Sequence, residues 1–333
     1  MKRLLKWFQR GPALPSADGA AAAAPATAQN AAPPPQADAP RTGPAAAPAV
    51  APDLQYFAWL TQSTPHAAAE ASAHERRLLE YVDAVSTDEE QRHMLVPRAR
   101  AVIPQLMSSL RDESQSIQAL SARVARDPNL VVAVLHLANA PGYGTAAPIE
   151  DLTQAIARLG TDGLRQAIAR VLLKPIFDAQ ADPLVGRTAE RLWRHAEAKA
   201  ALCQQTARLA RVEPFDAYLA GLMHNVGWTA CFRALDRSRN GVPASLSVAF
   251  VRALAPRRER LFALLLQSWR LSDPMTALAE EVLAAGFVGA RQPLATLLLS
   301  ADRAAFLQLL RADAADPTAT GGAAASNPRT RES

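Results

Sequence analysis

The chain has 333 residues, 49% of them hydrophobic and only 5% aromatic, with 15 glycines and an apolar set dominated by Ala and Leu, which favours helix and argues against a strand-rich fold. Its formal charge of +5 and pI near 9.6 raise the question of nucleic acid, but the basic residues are scattered singly rather than gathered in a block, which speaks against direct nucleic-acid binding. Two cysteines, Cys203 and Cys231, stand in apolar helical contexts without a partner at metal-ligand spacing, so they read as small core residues of a reducing compartment.

The first ten residues, MKRLLKWFQR, separate into two faces at helical spacing. Leu4, Leu5, Trp7 and Phe8 fall with Met1 on one side, and Lys2, Arg3, Lys6 and Arg10 on the other. Such a basic amphipathic helix could lie at an anionic membrane surface or dock in a partner groove, with those four apolar residues as anchors. Residues 11–54 collapse to Ala and Pro, as in AAAAAPATA, and predict a disordered tether. No run approaches the ~18 apolar residues of a spanning helix, and GPALP interrupts any signal-peptide core, so the expected location is cytoplasmic, with membrane-peripheral attachment through residues 1–10 as an option.

From residue 55 the signals are helical. EASAHERRLLEYVDAVS carries Leu78, Leu79, Val82 and Val85 at helical spacing, and residues 55–94 read as a helical lead-in. SIQALSARVARD stops at Asp127-Pro128, and PNLVVAVLHLAN restarts there with Asp127 near the dipole of the new helix. ANAPGYG is a loop in which Asn139 can bond backbone while Gly142 and Gly144, flanking Tyr143, supply turn conformations. DLTQAIARLG begins on an Asp cap and ends at Gly160, after which Thr161 and Asp162 open the next helix. The composition collapses again from residue 312, which predicts a disordered tail over 312–333.

Taken in order, LVPRARAVIPQLMSSLRD, ARDPNLVVAVLHLANAPGYG, IEDLTQAIARLGTDGLRQAI, LWRHAEAKA and DAYLAGLMHNVG resemble the pattern of the HDOD domain. That family is a helical output module of bacterial signalling proteins, related to the HD-type phosphohydrolases. The resemblance runs over about residues 95–311 and implies an all-α, compact multi-helix bundle. It marks Trp193, Gly221, Gly227 and Trp269 as structural positions together with those of the loops above.

Four residues could carry chemistry. His195 follows Leu192 by three and shares a heptad stripe with Leu202 and Leu209, which points it inward. His224 and Asn225 sit within GLMHNVG, read as the interior of one helix, where Gly221 would let a neighbouring helix come close. Asp302 lies on the face of Leu294, Leu298, Ala305 and Leu309. By the resemblance these are the first His, the His-Asp pair and the last Asp of the HD motif, whose members hold divalent metals. Here Asn225 stands where the central acid would be. An amide is a poorer ligand, brings no charge to offset a dication and cannot act as a base. No His follows His224, where relatives often carry a further pair.

The four positions therefore read as a vestigial metal site that keeps its helix contacts and loses its catalysis. GxxxxGK[ST], the Rossmann glycines, GxSxG and CxxC are all missing from the sequence. The expectation is a non-catalytic signalling scaffold that binds protein partners, with no catalytic residue, metal or cofactor. Two alternatives stay open: a residual metal-dependent phosphohydrolase or phosphodiesterase built on His195, His224 and Asp302, and a nucleotide-sensing module using the central cleft.

Overall fold

The structure, a computed structural model, describes residues 52–110, 117–140, 147–178 and 182–315. The amphipathic segment with Leu4, Leu5, Trp7 and Phe8, the tether up to residue 51, the loop residues Gly142, Tyr143 and Gly144, and residues 316–333 lie outside the described residues. Helix follows helix, and the one β-type contact among the described residues is a parallel bridge between His66 and Ser247.

Helix α1, Pro52–Thr61, begins three residues earlier than the expected lead-in. Pro52 suits a first helical position, and Leu54 is already buried. The Ala/Pro composition of residues 11–54 hid this start, because ten residues make a helix only when tertiary contacts hold them. A capping box opens α2, Ala73–Thr87. Ser72 Oγ accepts from the Glu75 amide at 3.2 Å and Glu75 Oε2 accepts from the Ser72 amide at 2.7 Å. Glu75 also accepts from the Ser247 amide at 2.6 Å, which stitches the lead-in to the N-cap of a helix more than 170 positions away. After the short α3, Glu89–Met94, the lead-in passes into the rest of the bundle without a boundary, since residues 52 onward form one compact unit.

Helices α4 (Ala99–Leu110), α5 (Ile117–Arg126), α6 (Pro128–Ala138) and α7 (Leu152–Phe177) pack together as a lobe. Its core is Leu120, Val124, Leu130, Val134, Leu164 and Ile168. Asp127 caps α6 by accepting from the Asn129 amide at 2.8 Å, with Pro128 at the first turn. Asn139 donates to the Leu135 and Ile149 carbonyls and accepts from the Ile149 amide at 2.7 Å, so its side chain ties together the two ends of the loop. Gly160 interrupts α7 with φ 62°, a conformation that a side chain resists.

The second half is built around α8, Pro183–Ala207, which packs on α9 (Pro214–Met223), α10 (Val226–Arg237) and α13 (Pro293–Ala315). Helices α11 (Val248–Trp269) and α12 (Asp273–Gly289) close the far side. Gly221 lets α9 approach α8 closely, because a Cβ there would lie 2.7 Å from Ala200 Cα. Trp193 and Trp228 are buried and Trp269 is half-buried. Leu209 corrects the heptad stripe. It lies beyond the end of α8 and is 88% exposed. Helix α13 is apolar and long enough to cross a bilayer, but Leu294, Leu298, Ala305 and Leu309 are packed into the core. It also continues to Ala315, past the expected start of the tail, where Trp59 and Arg194 hold Asp313.

Candidate functional site

The sequence GLMHNVG does not run through one helix. α9 ends at Met223, His224 and Asn225 form a corner, and α10 starts at Val226. At this corner Gly227 comes so close to α11 that a Cβ would lie 2.6 Å from the Arg258 carbonyl oxygen. The corner turns His224 and Asn225 toward α8 and α13. His195, His224, Asn225 and Asp302 thus meet in one place, from three separate stretches of chain.

A fifth residue, Lys199, stands at the centre. It lies one helical turn beyond His195, on the same inner face of α8, and its side chain is fully buried. Its Nζ lies 2.8 Å from His224 Nδ1, 2.8 Å from Asn225 Oδ1 and 2.6 Å from Asp302 Oδ1. An ammonium has three hydrogens to give, and three acceptors surround it. The 2.6 Å contact is that of a charge-assisted bond to a carboxylate. The ammonium form makes His224 Nδ1 an acceptor and places its proton on Nε2. The longer contact at 3.2 Å between Nε2 and Arg258 Nη1 is then donor facing donor. Arg258 is held independently, over the Trp228 ring at 5.3 Å and against Glu259 Oε1 at 3.3 Å.

Asn225 uses every polar atom of its amide. Oδ1 accepts from Lys199, while Nδ2 donates to the Leu192 carbonyl at 2.8 Å and to His195 Nδ1 at 3.1 Å. A carboxylate at this position would lose both donated bonds. The proton of His195 lies on Nε2, which donates to the Asp302 backbone carbonyl at 3.0 Å, so the single lone pair of Nδ1 is shared between Asn225 Nδ2 and the Tyr56 hydroxyl, 2.9 Å away.

The electrostatics follow from burial and from Lys199. Burial, then the neighbouring ammonium, push His195 down to about 4 and His224 down to about 3, so both imidazoles are neutral at physiological pH. Burial pushes Lys199 down from its ordinary value, and Asp302 pulls it back. For Asp302 burial acts upward, but the Lys199 ammonium outweighs it and holds the carboxyl well below its usual range. Asp302 keeps 30% of its side chain exposed and is where the site reaches water. Cys203 and Cys231 are buried, which pushes both thiols up to about 12 and leaves them as unreactive packing groups.

Sequence reasoning missed Lys199, Tyr56 and Arg258. A signal for Lys199 was present, since it repeats the inward direction of His195 four residues on. The other histidines lie elsewhere. His66 and His74 contact Ser245 and the Gly241 carbonyl, His93 faces Glu89, and His136 is half-buried on α6.

The family model of the HDOD domain matches residues 96–283. The chain belongs to the HDOD domain family. Among solved structures, the chain is similar to an HDOD domain protein of unknown function from Geobacter sulfurreducens, with 22% identity, 67% of this chain and 80% of that chain covered, and a TM-score of 0.47. It is also similar to a protein from Shewanella amazonensis SB2B provisionally named a metal-dependent phosphohydrolase, with 15% identity, 76% and 95% coverage, and a TM-score of 0.53. At that identity the likeness is one of fold. No curated protein matches the chain. The HDOD match ends before α13, so Asp302 lies outside it, as do Tyr56 and the whole of α1.

The metal that the HD relatives imply does not fit these residues. The Lys199 ammonium already stands among His224, Asn225 and Asp302, and the amide of Asn225 is committed on both nitrogen hydrogens. Among the described residues no group of three or more His, Cys, Asp and Glu is arranged to hold a metal ion. What the arrangement does chemically is join α8, the α9–α10 corner and α13 through one buried charge pair with its hydrogen bonds made.

Proposed function

We propose that this HDOD protein is a non-catalytic signalling scaffold, a regulatory module that binds protein partners in a bacterial signalling pathway. The observation that carries the reading is the Lys199 ammonium at 2.6–2.8 Å from the three side chains that would face a catalytic metal. A dication beside that ammonium would meet strong like-charge repulsion in a desolvated site. Water activation needs a metal or a base. Asn225 is neither acid nor base, both ring nitrogens of His195 are engaged, His224 Nδ1 accepts from Lys199 while its Nε2 faces the Arg258 guanidinium, and the Asp302 carboxylate is bound to Lys199. The basic residues of the first ten positions would add recruitment to a partner or an anionic membrane surface of the cytoplasm.

The test is turnover of phosphomonoesters, phosphodiesters and cyclic dinucleotides by the full chain with Mg²⁺, Mn²⁺ or Zn²⁺ supplied. The expected result is no turnover above background, unchanged in Asn225→Asp. Chelator-sensitive turnover that His224→Ala abolishes would establish the phosphohydrolase reading instead.

A further inference from the structure

Helices α4 and α5 both lie on α7, but among the described residues they scarcely touch each other. A cleft of about 360 Å³ is left between them, at the lower end of the volumes of small-ligand pockets. Its floor is Ile168 and Leu172 of α7 with Leu130 of α6, and Gln105 of α4 stands on one side. Ile168 and Leu130 are buried and Leu172 is half-buried, so the floor is apolar.

The other wall is one face of α5. Ala119, Ala122, Arg123 and Arg126 recur at helical spacing and line the cleft, while Leu120 and Val124 turn into the core of the lobe. The alanines leave room, and the two guanidiniums gather at the last turn. Neither Arg123 nor Arg126 makes a hydrogen bond or an ion pair with a described residue. Asp127 lines the same end, but its carboxylate caps α6, accepting from the Asn129 amide at 2.8 Å. That end of the cleft therefore carries two unpaired cations against one acid. An arginine in the last turn complements the helix dipole, which accounts for its charge and not for the space over Ile168 and Leu172 in a lobe that is otherwise close-packed.

We propose that this cleft binds a small amphipathic anion, its apolar body on Ile168, Leu172 and Leu130 and its one anionic group between Arg123 and Arg126. A guanidinium fork pairs well with carboxylate, sulfonate or phosphate oxygens. Helix α5 has ten residues and is about 15 Å long, so the wall suits a small molecule better than a partner helix. The site lies within the residues matched to the HDOD family, and neither Lys199 nor any of its partners lines it. It goes beyond the scaffold reading and stands apart from it, since phosphoester turnover would overturn that reading and leave this one untouched.

The test is a fluorescence titration of the full chain with anilinonaphthalene sulfonate, a fused aromatic body with one sulfonate. The expected result is one saturable site per chain, from which decanoate displaces the dye while decanol, without the charge, and inorganic phosphate, without the apolar body, do not. The double variant Arg123→Gln, Arg126→Gln should bind the dye at least about tenfold more weakly, because two charge-assisted contacts are lost. Ala122→Phe, which sets a ring in the cleft, should weaken it as much. Arg303→Gln with Arg311→Gln, at exposed positions of α13, should bind as the natural chain does. Each variant is compared only after it melts cooperatively, because a loosened core also takes up this dye. Should Ala122→Phe not fold, the arginine variant decides, since Arg126 is exposed and Arg123 half-buried. Absence of a saturable site, displacement by decanol or phosphate, unchanged affinity in a folded cleft variant, or an equal loss in the α13 variant overturns the proposal.

Discussion

Between α5 and α7, Leu120, Val124, Leu130, Val134, Leu164 and Ile168 close on one another as an apolar cluster. Between α8, the α9–α10 corner and α13, equally deep burial encloses an ammonium, two imidazoles and an amide, with a carboxylate at the edge. The lobe needs only shape and volume to hold together. The centre depends on the donors matched to acceptors around Lys199 and Asn225, and the loss of any of those pairs exposes a whole desolvation penalty. The contrast shows what a buried polar site requires of a fold: its inward carboxylate and amide need a cation or donors to face. Here the cation comes from the chain itself, at Lys199, one turn along α8 from His195.

The sharpest way to break this contrast is Lys199→Met, which keeps the volume and removes the cation. It leaves Asp302 beside two imidazoles and should cost roughly 3–4 kcal/mol, towards the lower part of the range for broken buried pairs because Asp302 reaches water. Urea unfolding at several pH values checks it. Loss of the ammonium also removes one of the forces that hold His224 down, burial being the larger, so the variant should lose stability less steeply than the natural chain as pH falls below neutral. Leu164→Ala in the lobe should cost about 3 kcal/mol from its cavity, with the pH dependence of the natural chain retained. Equal pH profiles in the two variants would erase the distinction between lobe and centre.

Asn225→Asp exchanges the amide for an acid of the same shape. It should destabilise by roughly 2 kcal/mol, because a carboxylate cannot donate to the Leu192 carbonyl or to His195, although it can still face Lys199. An increase in melting temperature would contradict the role assigned to the amide. The natural chain should also lose stability on acidification. His195 and His224 titrate near 4 and 3 when folded and near 6.5 when unfolded. The unfolded chain therefore binds more protons from about pH 6.5 downward, and each histidine adds a slope of up to about 1.4 kcal/mol per pH unit until its folded value is reached. Asp302 has a depressed folded value, so its share is full above the ordinary carboxylate range and fades as pH falls below it. Gly221→Ala is the smallest test, about 1–2 kcal/mol, from a Cβ set against the Ala200 backbone.

Much of the helix grammar was legible in the sequence. Asp127-Pro128, the Asp151 cap and Gly160 act through local backbone rules, and the structure has a cap or a break at each. The inward direction of His195 and Asp302 could be read from spacing alone. The corner at His224 and Asn225 could not, because it is set by Arg258 and Leu192, which are distant in sequence. Lys199 was overlooked because a lysine on a helix ordinarily carries its charge to water. Only the convergence of His224, Asn225 and Asp302 from other elements gives it a reason to stay inside. Tyr56 was out of reach for a similar cause, since the composition of residues 11–54 masked where the folded unit begins.

The measurement that bears most directly on this account is a calorimetric titration of chelator-stripped full-length protein with Mn²⁺ and Zn²⁺, run beside the double variant Lys199→Ala, Asn225→Asp. The account predicts no saturable site in the natural chain and one ion per chain in the variant, where the ammonium is gone and an acid is restored. One ion bound per natural chain, lost in His224→Ala, would contradict the claim that Lys199 holds the cation's place.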